Sequence, residues 1–96
     1  MKVAEKRAVN RAIDKIVSPI YFNEIPLSPI FEAIESFGYL VVDEEHQPWS
    51  GFLCGREGTA MFDLFSKEKG KPDNSNLMLQ WYTIQSGRYE VTCYVS

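Results

Sequence analysis

The last twenty residues constrain this chain most. Leu77 to Gln85 and Arg88 to Ser96 are two runs rich in β-branched and aromatic residues, with Ser86-Gly87 between them. Two strand-like runs around a short glycine-bearing break are the pattern of a tight β-hairpin. In the second run Tyr89, Val91, Cys93 and Val95 alternate with Glu90, Thr92, Tyr94 and Ser96, so one side is apolar. In the first run Leu77, Leu79 and Trp81 oppose Met78, Gln80, Tyr82 and Ile84. Its second face is apolar enough to be expected at least half covered.

A sheet with a greasy side needs a cover, and the front of the chain supplies one. From Lys6 to Val17, Ala8, Val9, Ala12, Ile13, Ile16 and Val17 fall on one half of a helical cylinder, and Arg7, Asn10, Arg11, Asp14 and Lys15 on the other. Val3 is out of register with that stripe. Ser18-Pro19 is expected to end the helix, because the residue before proline is pushed out of the α region. Tyr21, Phe22, Ile25 and Leu27 of the connector are expected to plug the core. Ser28 reads as an N-cap, Pro29 as the first helical residue and Gly38 as a left-handed stop, predicting a second helix over 29–37.

The remainder reads as strands. Tyr39 to Asp43 is a short inner strand, and 44–48 a polar turn. Trp49 to Cys54 and Thr59 to Phe65 flank Gly55–Gly58 as a second hairpin, with Gly51 marking a bulge. The ten residues Lys67–Asn76 are polar and predicted to be a mobile loop before the terminal hairpin. Helices first and strands after predict an α+β fold in one domain, residues 1–96. Two N-terminal helices pack on one face of a four- or five-stranded antiparallel sheet in the order α-α-β-β-β-β-β.

A chain of 96 residues, 45% apolar and 14% aromatic, is rich enough for one packed core without metal or disulfide staples. No leader-like h-region and no run near ~20 apolar residues is present, so a cytoplasmic protein without membrane contact is expected. Cys54 and Cys93 lie in apolar runs and read as buried free thiols, with a disulfide open only if their strands are neighbours.

Charge is unevenly spread. Residues 1–17 hold five cations against two acids, 18–66 eight acids against Arg56 alone, and the whole chain carries a net −3. Arg7, Arg11 and Lys15, at i, i+4 and i+8, form a like-charged ladder costing roughly 0.2–0.5 kcal/mol per neighbouring pair. Three accounts compete for it: a solvated face, a partner in the acidic middle segment, or an external anion. Net charge and the lack of an RNA-binding aromatic signature make nucleic acid the weaker expectation.

No motif calls for a cofactor or metal, and no base, nucleophile and orienter form a set. His46, the single histidine, sits in a polar turn beside Asp43, Glu44 and Glu45. A small enzyme or ligand-binding domain using His46 or a cysteine is the alternative reading. Asp63 interrupts an apolar strand and shares a face with Met61 and Phe65. That face either looks outward as a contact surface or buries Asp63 with a partner. Tyr82 and Tyr94 share the less apolar face of the terminal hairpin. The expected function is non-enzymatic: binding a protein partner or a second copy through Asp43, Glu44, Glu45, Met61, Asp63, Phe65, Tyr82 and Tyr94. A nucleic-acid regulator using Arg7, Arg11 and Lys15 is the runner-up.

Overall fold

Helix α1 spans Val3–Val17 and buries Val9, Ile13 and Val17 along the apolar stripe. It begins a turn earlier than predicted, because the Lys6 N–H reaches the Lys2 carbonyl at 2.9 Å. Val3 is helical but 65% exposed, as its place outside the stripe requires. The computed structural model describes residues 1–17 and 22–96. The predicted stop at Ser18-Pro19 and the Tyr21 plug lie outside the described residues. Phe22, Ile25 and Leu27 do pack against the core.

Helix α2 spans Leu27–Ser36 and buries Ile30 and Ile34. It starts two residues before the predicted first turn, with Pro26 at the cap and no side chain capping it. Ser28 therefore lies inside the helix rather than at its cap. Pro29 did not locate the start, because any of the first four helical N–H groups can be dispensed with. Gly38 does end the helix. Its φ of +92° is left-handed, and its N–H bonds the Glu35 carbonyl at 2.9 Å.

Four strands follow: β1 (Tyr39–Val42), β2 (Glu57–Ser66), β3 (Lys71–Thr83) and β4 (Tyr89–Val95). All neighbours are antiparallel, in the order β1-β2-β3-β4. The described residues thus form the expected α+β fold, with four strands, the lower of the two numbers expected. The predicted strand over 49–54 does not form. Trp49 instead docks edge-on against Phe62 at 5.1 Å and Phe31 at 5.8 Å, which draws the segment toward α2. Gly51 (φ +127°) turns a loop and marks no bulge. The irregularity falls between Asp63 and Phe65.

The predicted loop over 67–76 is corrected as well. Gly70 N–H closes a tight turn on the Ser66 carbonyl at 2.9 Å, and β3 already runs from Lys71. The polar residues 71–76 carry no apolar alternation, so the strand's first half had no period to show.

The core follows from the register. Phe62, Leu77 and Val95 form one cross-strand row, Ala60, Leu79 and Cys93 the next, and Gly58, Trp81 and Val91 the third. Helix residues Val9, Ile13, Val17, Ile30 and Ile34 complete the same cluster. Gly58 has a packing reason. A Cβ there would stand 2.7 Å from Cη2 of the Trp81 indole, so the ring lies on bare backbone.

Polar ties fix α1 to the sheet. The Asn10 amide donates to the Val95 carbonyl at 3.0 Å and accepts from the Val95 N–H at 2.6 Å, so this residue of the polar half turns in to β4. At the other end the Tyr39 hydroxyl donates to Glu5 Oε1 at 2.5 Å. That bond, with burial and the neighbouring carboxylates, pushes the Tyr39 hydroxyl up to about 12. The Met1 ammonium meets Asp73 at 2.8 Å. Burial alone would raise the Asp73 carboxyl, but bonds from that ammonium and from Ser75 outweigh it and hold it below its ordinary value.

Two measurements check this packing. Gly58→Ala should destabilise the chain by about 1–3 kcal/mol in urea unfolding, the usual cost of overfilling a packed site. No loss would mean that the indole is not seated there. Tyr39 has a folded pKa of about 12 against 10.0 in the unfolded chain, so its contribution is whole below pH 10 and lost as pH rises toward 12. Between those values wild-type stability should fall more steeply than that of Tyr39→Phe. Parallel curves would contradict it.

Candidate functional site

The helices seal the sheet's inner face, and the alternation of each strand sends the other residues outward. The register places Glu57, Tyr82 and Glu90 in one outward row, Thr59, Gln80 and Thr92 in the next, and Met61, Met78 and Tyr94 in a third. Opposed side chains in such rows lie about 4.5–5.5 Å apart, close enough to act as one surface. Met61 is 64% exposed, Tyr94 47% and Tyr82 44%. Within β3 only Met78 and Asn76 of this face are half-buried, while Gln80 and Tyr82 are exposed. The face is more open than the expected half cover.

Asp63 points outward, which decides between its two readings. It is exposed and accepts from the Asn76 amide at 3.1 Å. Phe65 shares the face but is half-buried beneath the turn after β1, where the His46 ring stands 6.0 Å from it. In that turn Asp43 serves the backbone: its Oδ1 accepts from the N–H groups of Glu45 at 2.9 Å and Gln47 at 3.0 Å. Glu44 and Glu45 are exposed at its tip.

Met61, Asp63, Tyr82 and Tyr94 are therefore assembled on one face, with Phe65 and the Glu44-Glu45 tip at its margin. Sequence reasoning missed Glu57 and Glu90, which the register sets on either side of Tyr82. Alternation would have found Glu90, but Glu57 was read as a turn residue. The outward positions of these rows carry two carboxylates, Glu57 and Glu90, and no Lys or Arg; Asp63 stands opposite Asn76 one row beyond Met61, and Arg56 lies just before β2. A groove of about 620 Å³ lies at the Tyr82 end, lined by residues 56–59 and 80–83. Phe52, expected to pack as strand, is 82% exposed in the loop before β2.

The basic row lies in the other layer. Arg7, Arg11 and Lys15 are exposed, and on a 100°-per-residue wheel they stand opposite the buried Val9, Ile13 and Val17. Among the described residues none of the three forms a salt bridge. The acidic middle segment does not pair with them there.

The pieces offered for chemistry do not converge. His46 lies at Phe65 on the outer face and Cys93 on the inner face of β4, so the sheet separates them. Among the described residues no three His, Cys, Asp or Glu side chains are grouped to hold a metal ion. No described helix is long and apolar enough to cross a membrane. The two cysteines are unbridged, and Cys54 is exposed rather than buried, a consequence of its loop.

Cys93 is buried, and burial, aided by the Asp14 carboxylate, pushes its thiol up to about 12. A thiol-disulfide exchange reagent at pH 8 should therefore titrate one cysteine in the native chain and the second only on unfolding. Cys54→Ser should remove the fast phase, and a fast phase surviving it would contradict the placement of Cys93. No family model matches the chain, and neither do any curated protein or solved structure.

Proposed function

We propose that this chain is a protein-interaction module that takes a basic partner on the open face of its sheet. The observation that carries the reading is the outward register. An apolar row of Met61, Met78 and Tyr94 is followed, two rows on, by Tyr82 between Glu57 and Glu90. Methionine and tyrosine supply adaptable and rigid contact area, and aromatic residues recur as interface anchors. Carboxylates around them favour a cationic partner, speeding its approach and disfavouring polyanions.

The test uses a short peptide of alternating Lys and Leu as probe, titrated into the labelled chain and followed by amide shifts. Shifts should map to residues 57–63, 76–82 and 90–94, and the double variant Met61→Asp, Tyr94→Asp should weaken binding at least about tenfold, the effect of losing roughly 1.4 kcal/mol. Shifts confined to α1 and α2, or unchanged affinity in the folded double variant, would overturn the proposal.

A further inference from the structure

The two layers end in surfaces of opposite sign. The sheet layer presents Glu57, Asp63 and Glu90 with Met61 and Tyr94, and the helical layer presents Arg7, Arg11 and Lys15 on the side of α1 turned away from the core. The three α1 cations form no salt bridge among the described residues, and neither do the three sheet carboxylates.

The spacing also agrees. Val3, 65% exposed, stands at the head of the basic row. From Val3 to Arg11 the helix rises about 12 Å at 1.5 Å per residue. From Met61 to Glu57 the strand runs about 13 Å at 3.3 Å per residue. Val3 and Arg11 are therefore spaced as Met61 and Glu57 are, with opposite charges at the far end.

We infer that the occupant of the open sheet face is the α1 face of a second copy of this chain. Val3 of one copy meets Met61 and Tyr94 of the next, and Arg7 and Arg11 meet Glu57 and Glu90. The contact joins two different surfaces of the same molecule, so it is head-to-tail, and a pair of copies keeps one free surface of each kind. Two accessible ion pairs and a small apolar contact make a weak, salt-sensitive association. The exposed acids of the helical layer, Asp14, Glu32 and Glu35, limit it further. This inference rests on the sheet face being the docking surface and names its partner.

Sedimentation velocity over a range of concentrations tests it. In about 0.01 M salt, where the Debye length is about 30 Å, the weight-average mass should rise with concentration to twice the 11.0 kDa monomer or beyond. In about 1 M salt, where the Debye length is about 3 Å, it should return to the monomer. The variant Arg7→Glu, Arg11→Glu and the variant Glu57→Lys, Glu90→Lys each carry like charges on both surfaces. Each should be monomeric alone, and mixing the two should restore association; circular dichroism confirms that both are folded.

A monomer under every condition, association that salt strengthens, or a mixture that stays monomeric would each overturn the inference. If the chain stays monomeric while the Lys-Leu peptide still shifts the sheet amides, the second copy is excluded and the docking face stands. If the peptide shifts nothing on the sheet, the face itself is excluded.

Discussion

Everything in this structure depends on an imbalance: a four-stranded sheet has two faces, and the two helices of the described residues cover one. Helix α1 is fifteen residues long and α2 ten, and both spend their apolar stripes on the sheet's inner face, α1 beside β4 and α2 beside β1. Burial of those rows is the main favourable term, at roughly 25 cal/mol per Å² of apolar surface removed from water. The alternation that drives Leu77, Leu79 and Trp81 inward necessarily drives Met78, Gln80 and Tyr82 outward. The open face is thus the geometric remainder of the core, and its composition shows how it differs from ordinary surface.

The sheet's edges are managed where the face is left open. Beyond β1, Pro48 bridges to Val42 and the Trp49 N–H bonds the Val41 carbonyl at 2.9 Å. Beyond β4, Phe22 pairs with Tyr89 at one end, and the Asn10 amide stands in for a strand at Val95. Blocking edges in this way discourages strand addition. The same ties anchor α1 along β4, so the residues that guard an edge also hold the basic row in place on the far side of the molecule. The surface left for docking is accordingly the sheet's face rather than its border.

Much of this architecture was legible in the residues. The period-two pattern of the final strand, the helical stripe ending at Val17 and the glycine stop at Gly38 each reflect one local rule with no competitor. What was not legible came from tertiary contacts. Trp49 to Cys54 has strand composition, but an aromatic triad with Phe31 and Phe62 claims Trp49 first. Lys71 to Asn76 has loop composition, but with β2 on one side its backbone is paired and extended regardless of polarity. Of the candidate site, the alignment of Tyr82 with Tyr94 could be read from spacing. The flanking of Tyr82 by Glu57 and Glu90 could not, because register between strands is decided by the rows that pack beneath.

One face of the sheet is dry and the other wet, and solvent accessibility along β3 and β4 measures the difference. A soluble paramagnetic agent added to the dilute labelled chain should broaden side-chain signals of Gln80, Tyr82, Thr92 and Tyr94 strongly, and those of Leu79, Trp81, Val91 and Cys93 little. Broadening should alternate with period two along both strands. Equal broadening of both sets, or equal protection of both, would contradict it.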